Sequence, residues 1–379
     1  MSNRGVSEAI AVSVPSASSV APSKPVARAG YMPQLDGVRG LAIIAVIFWH
    51  FDSWSSHYVA WGPIGVRLFF VLGAFLVTAG LLRARDAVAS GKQTVGAAVR
   101  GFFAGRAIRI LPVYYLAILV GLAFGLASVR EPLVWHLLFA TNLYIGVTQS
   151  IPLETAHFWF LGAQEQFYLV WPFFVLLLPR RALFPTAIAL IALALVARIA
   201  IVLGAANMFW YFASPFSNLD AVGLGALIGL LRHDGKDHVL ARLVAPGSGW
   251  AALALFVIGG IVTQFLYGTV AGTFCDLALS LSFAWLVIGA ARGFGGIGRA
   301  LLDSRPLHDT GVISYGLYII HPFMPGALAG LAAAIGIGWP KGYPGLVLAA
   351  AAAFTLAALS WHFIEKPIVA IKNRKRTSR

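Results

Sequence analysis

Apolar residues run through this chain in long blocks rather than in the alternation of a strand or the single stripe of a surface helix. The blocks fall at about 37–53, 63–82, 108–127, 133–148, 161–179, 183–204, 217–231, 249–267, 274–291, 311–335 and 345–364. Most approach the ~20 residues that a helix needs to cross the hydrocarbon of a bilayer. The links between them are of two kinds. Basic residues gather in Arg83–Arg109, at Arg180 and Arg181, in Arg232–Arg242, in Arg292–Arg305 and after Lys372, whereas 54–62, 205–216, 268–273 and 336–344 are nearly free of Lys and Arg. Placing every basic link on the cytoplasmic side, as positive-inside bias directs, requires an even number of crossings. The block 133–148 then begins and ends on one side. It is short and holds His136 and Asn142, so it is expected to be a re-entrant or interfacial helix. The pattern predicts an all-α polytopic membrane protein with about ten transmembrane helices and both termini cytoplasmic.

Composition supports that class. Of 379 residues, 59% are hydrophobic and 11% charged, against about 25% charged in soluble domains. The formal net charge of +14 would suggest nucleic acid in a soluble protein. Here the excess cations sit in the links, and no nucleic-acid partner is expected. Cys275 is the only cysteine, so neither a disulfide framework nor a thiolate metal cluster is expected, and no metal site is assigned. Residues 1–32 read as a disordered cytoplasmic tail without the apolar run of a signal peptide. Residues 33–368 form the membrane domain and 369–379 a basic cytoplasmic tail near anionic lipid.

The first block carries a distinctive pair. Arg39 and His50 are eleven residues apart in PQLDGVRGLAIIAVIFWHF. On a helix that is about 20° short of, or past, a whole number of turns, so both project from one face, roughly 16 Å apart along the axis. Ile43 and Val46 lie between them on that face. A cation at the membrane boundary and an imidazole within it form an arrangement that calls for a function. Arg106 and Arg109 are helical neighbours at the same boundary. They are either a clamp for a polyanion or positive-inside anchors. Toward the other side stand His157, Glu165, Asn218, Asp220, Asp276 and His321. Asp220 and Asp276 also fit helix N-caps, and Arg198 fits a snorkelling residue near a helix end. Gly40, Gly65, Gly73, Gly223, Gly225 and Gly311 read mostly as close helix contacts.

These pieces resemble the integral-membrane acyltransferase 3 family. DGVRGLAIIAVIFWH matches its opening element, an Arg, ten residues and a His. In the family's order there follow GVRLFFVLGAFLV, GRAIRILPVYY with its Arg-x-x-Arg-x-x-Pro, QEQFYLVWP, ISYGLYIIHP and IEKP, so the resemblance covers 33–367. Departures occur. Arg67 stands where members often have an acidic residue, LGAF replaces Leu-Ser-Gly-Phe, and Trp159 is one place off the register of the usual Trp-Ser-Leu. The extra hydrolase-like domain of some members is expected to be absent.

The resemblance implies acyl transfer, most often of acetyl, from cytoplasmic acyl-CoA as co-substrate to a hydroxyl of a cell-envelope, exopolysaccharide or lipid-linked sugar at a bacterial inner membrane. No permanently bound cofactor is expected. Arg39, Arg106 and Arg109 suit the CoA phosphates. His50 suits a general base or a transient acyl acceptor. Glu165 would orient the ring or hold the acceptor. Asp36, Tyr315, Tyr318 and His321 are assigned to substrate binding, at the acceptor or the thioester carbonyl. Two alternatives stand beside this reading: the same chemistry on a small secreted molecule such as a macrolide, and a transporter or flippase using the intramembrane charges.

Overall fold

The computed structural model describes residues 31–51, 58–204 and 207–370. The two expected tails lie almost wholly outside the described residues. Contacts set Met1–Tyr31 apart from Met32–Arg379, and the architecture below is that of the second unit. Among the described residues the fold is helical, without strands.

Among the described residues, nine helices are long and apolar enough to cross a membrane: α1 Gln34–Phe51, α2 Trp61–Ala89, α3 Val95–Ala123, α4 Phe158–Leu177, α5 Arg180–Leu203, Ser248–Leu266, Val270–Arg292, Ser314–Ala334 and Tyr343–Ala370. A tenth, α6 Leu219–His233, has 15 residues, about 22 Å at the helical rise. A 3₁₀ turn, Phe216–Asn218, precedes it. We number the last four long helices α7 to α10 in chain order. Helix α6 packs closely against its neighbours. Its residues from Leu219 to Gly223 are all buried, and a Cβ on Gly225 would stand 2.2 Å from the Val71 carbonyl oxygen of α2. Only glycine permits that approach.

The block 133–148 does not cross. It forms two short helices, Leu133–Leu137 and Thr141–Thr148, joined at Phe139 with φ 54°. The polar residues that set it apart are structural. His136 Nδ1 lies 2.7 Å from Thr141 Oγ1 and its Nε2 3.1 Å from the Ser128 carbonyl. The Asn142 and Gln166 amides exchange hydrogen bonds of 3.0 and 2.9 Å.

The basic links meet at one end of the bundle. Arg85 donates to the Leu178 carbonyl at 2.7 Å, Arg180 pairs with Asp234, Arg232 donates to the Ala291 carbonyl at 3.0 Å, and Gln34 to the Phe294 carbonyl at 3.0 Å. The amino-terminal end of α1 belongs to this end. There DGVRG packs against the short helix Arg305–Val312 so closely that a Cβ on Gly311 would stand 1.8 Å from the Asp36 carbonyl oxygen. Two helices are interrupted. Helix α9 tightens into a 3₁₀ turn at His321–Phe323, where Pro322 lacks the donor a continuous α-helix needs. Helix α10 widens into a π-turn at Trp361–Glu365, a distortion common at functional sites.

Candidate active site

Two chambers open from opposite ends of the bundle. The first, about 310 Å³, is lined by Arg39, Arg106, Arg109, Tyr168, Tyr315 and Tyr318 among others; we call it the arginine chamber. Its cations differ in what holds them. Arg39 is ion-paired with Asp36, one turn earlier on the same face. The Asp36 carboxylate, expected at the substrate, is thus used to aim Arg39. Arg106 donates through Nε to Glu165 Oε2 at 3.1 Å and through Nη2 to Oε1, and lies 3.7 Å over the Tyr168 ring. Glu165 is therefore placed with the arginines and not beside His50 as expected. Helix α4 begins at Phe158, and about two turns later Glu165 meets Arg106 of α3. Arg109 also reaches the arginine chamber, and among the described residues its guanidinium has no hydrogen bond or ion pair to a side chain. Glu365, turned inward by the π-turn, acts on it electrostatically. Of the three expected donor-binding arginines, Arg109 is the one whose hydrogen-bonding capacity is uncommitted.

The second chamber, about 550 Å³, receives His50 from the last turn of α1; we call it the histidine chamber. His50 Nδ1 lies 2.8 Å from the Val46 carbonyl and 3.3 Å from His321 Nε2, with the two rings 4.9 Å apart. His321 Nδ1 lies 3.0 Å from the Leu317 carbonyl. A carbonyl only accepts, so each Nδ1 carries the proton in the neutral rings. His321 Nε2 is then an acceptor that shares the His50 Nδ1–H, and His50 Nε2 keeps its lone pair. The His50 side chain is exposed to the chamber. His321, expected at the substrate, is completely buried and touches His50 instead.

His157 completes a row of imidazoles, its ring 5.5 Å from that of His321. It immediately precedes α4, and burial, with His321 and His50 nearby, holds its pKa well below the ordinary histidine range. A buried neutral histidine binds fewer protons folded than unfolded, so its contribution to stability is lost as pH falls below the unfolded value of about 6.5. We predict a lower melting temperature at pH 5.5 than at 7.5, and a smaller difference in His157→Gln. An equal pH dependence in the variant would remove His157 from that role.

Tyr318 lines both chambers. Its hydroxyl donates to the His157 carbonyl at 2.5 Å, and its ring sits 5.5 Å from Phe160 and 6.5 Å from Phe69. Tyr315 remains in the arginine chamber and donates to the Ile110 carbonyl at 2.6 Å. Both hydroxyls expected at the substrate are thus engaged by backbone. Of the two apolar residues between Arg39 and His50 on α1, Val46 lines the histidine chamber. Ile43 is wholly buried in the core, and the partition between the chambers is Tyr318 with Phe69 and Phe160.

A model of the acyltransferase domain family matches residues 32–364. The chain belongs to this acyltransferase family. It is similar to YrhL of Bacillus subtilis, named as a candidate peptidoglycan O-acetyltransferase, at 28% identity over 89% of this chain and 55% of that one. Peptidoglycan O-acetyltransferase OatA of Listeria monocytogenes is 25% identical over 89% of this chain and 56% of that one. O-acetyltransferase OatA of Staphylococcus aureus is 27% identical over 77% and 50%. The chain spans about half the length of these curated relatives. No solved structure matches it.

This member of the acyltransferase family holds one further polar assembly, which sequence reasoning missed. Arg67 of α2 donates to Asp220 at 2.9 Å and lies 3.3 Å from Asp276. Arg198 of α5 lies 3.1 Å from Asp220 and 3.4 Å from Asp276. Ser280 bridges Arg67 and Asp220, and Tyr211 donates to Asp276 at 3.0 Å. Asp220, Asp276 and Arg198, read as caps and a snorkelling side chain, make side-chain ion pairs to one another's helices; Arg198 and Asp220 are completely buried. The available signal was arithmetic: the apolar blocks hold four arginines, Arg39, Arg67, Arg109 and Arg198, and four carboxylates, Asp52, Glu165, Asp220 and Asp276, summing to zero charge. Arg67, the departure from the acidic residue of other members, is what brings that sum to zero.

Proposed function

We propose that the protein is an inner-membrane O-acyltransferase, its basic end and both tails cytoplasmic, that moves an acetyl group from acetyl-CoA to a hydroxyl of a cell-envelope sugar. The observation that carries this reading is the meeting of a cation-lined chamber and an imidazole-lined chamber at one residue, Tyr318. Arg109 and Arg39 receive the CoA phosphates at the basic end. The thioester passes the partition and reaches His50. There Nε2 takes the proton of the sugar hydroxyl, whose oxygen attacks the thioester carbon. The C–S bond breaks, an ester C–O bond forms, and the proton ends on the CoA sulfur. Alternatively Nε2 attacks first and hands the acetyl group on. His321 keeps Nε2 available in either route. The carbohydrate acceptor is supported by the relatives: the Listeria protein is a peptidoglycan O-acetyltransferase and the Bacillus protein is named as a candidate one. Mass analysis of the envelope glycan with and without the gene tests the reading, and an unchanged acetyl content would sink it.

The donor side carries its own expected result. Arg109→Gln raises KM for acetyl-CoA about tenfold to a hundredfold, the loss of one charge-assisted phosphate contact, with a smaller change in kcat. Arg106→Gln disturbs the Glu165 pair and lowers stability as well. An unaltered KM in Arg109→Gln would remove it from the donor site.

A further inference from the structure

The acyltransferase reading gives His50 a task but leaves other residues that line the histidine chamber without one. That lining is unusual in what it leaves unpaired. Among the described residues, buried side-chain polar atoms without a hydrogen-bond partner include both ring nitrogens of His157, Thr263 Oγ1 and Gln264 Nε2. All three residues line this chamber. His157 is only 3% exposed. A buried polar atom left unpaired is destabilising, and one that persists in a cavity wall points to a ligand or water that pairs it.

The ion quartet presents two members to the wall of this chamber, Arg67 and Asp276. Asp220 and Arg198 are sealed behind it, whereas Asp276 lines the chamber at 9% exposure. Its ion pairs, 3.3 and 3.4 Å, are looser than the 2.9 and 3.1 Å of Asp220. Its hydrogen bond from Tyr211 occupies Oδ2. A carboxylate has about four acceptor positions, so Oδ1 retains capacity toward the chamber. Rings of Trp49, Trp159 and Tyr267 complete the surround, a mostly apolar cavity with a few convergent polar groups. Charge then decides the class of ligand. Arg67 is the one arginine or lysine lining the chamber among the described residues, and its guanidinium is committed to Asp220, Ser280 and Asp276. Among the described residues, an anionic ligand would face Asp276 with no free arginine or lysine to meet it.

We propose that Asp276, Gln264 and Thr263 form the acceptor subsite of this enzyme, built for an uncharged sugar ring. Asp276 accepts a hydrogen bond from one ring hydroxyl, Gln264 donates to another oxygen, and a further hydroxyl faces His50 Nε2. Exclusion of a carboxylate-bearing sugar follows from the same geometry. The inference rests on the acyltransferase reading for its catalytic consequence, but not for binding.

The test uses the full chain in lipid nanodiscs with p-nitrophenyl β-D-glucoside and p-nitrophenyl β-D-glucuronide. Binding is followed by tryptophan fluorescence and turnover by CoA release from acetyl-CoA. We expect the glucoside to bind and be acetylated, and the glucuronide to do so at least about tenfold more weakly. Asp276→Asn and Gln264→Ala each raise KM for the glucoside about tenfold or more, with KM for acetyl-CoA unchanged. Gln264 lies outside the ion quartet, so its variant keeps the proposal testable if Asp276→Asn does not fold. Equal use of the two glycosides, or an unchanged acceptor KM in Gln264→Ala, would overturn the subsite. Selective glucoside binding without CoA release under any condition would uphold the subsite and overturn the acyltransferase reading.

Discussion

Replacing His50 with alanine is expected to lower acyl transfer at least about a hundredfold while leaving the protein in the membrane at its normal level. The magnitude follows from what a positioned base contributes, about 10²–10⁴; loss would be complete if His50 carries the acyl group. Normal folding follows from its place. The ring is exposed to the chamber at the last turn of α1, while Ile43, Val46 and Ile47 supply the buried packing of that helix. The measurement is acetyl-CoA turnover by membranes matched for protein content. Full activity in His50→Ala would remove the histidine from the chemistry. His321→Gln separates positioning from catalysis. It leaves the base in place but removes the acceptor at 3.3 Å that helps hold its tautomer, so kcat should fall less and the pH–rate profile should move. A pH–rate profile identical to wild type would count against that role.

Asp220→Ala is expected to be the most damaging single change to the fold, by about 3–5 kcal/mol, the range for breaking a completely buried ion pair by removing one partner. Asp220 accepts from Arg67, Arg198 and Ser280 at 2.9–3.1 Å. Without it two guanidiniums share the single carboxylate of Asp276 inside the bundle. Thermal unfolding in detergent should show the loss. Neutrality offers a control: Asp220→Asn with Arg198→Met leaves Arg67 paired with Asp276 and should recover part of the stability lost in Asp220→Asn alone. Equal melting of single and double variants would mean that net charge is not what the quartet balances.

The class of this protein was legible in the chain because it depends on local composition. Apolar blocks of bilayer length must be helices, since hydrocarbon offers no partner for an open backbone. The sorting of basic links predicted which helix ends lie together, and Arg85, Arg180 and Arg232 make their cross-helix contacts at that common end. The helical period likewise put Arg39 and His50 on one face. Contacts between distant segments were not legible, because spacing along a helix says nothing about which neighbour it meets. Glu165 was expected beside His50 and is held by Arg106, 59 positions earlier in the chain. His321, 271 positions from His50, took the place beside it.

By itself, then, the sequence determined an all-α membrane protein, its basic end and the Arg39–His50 face, all consequences of hydrophobic transfer and helical repeat. The tertiary structure alone decided how the intramembrane charges are neutralised, which imidazole supports His50, and that Tyr318 divides the interior into two chambers. Those outcomes depend on pairwise distances of a few ångströms between helices far apart in the chain, where the cost of an unpaired buried charge selects the partner.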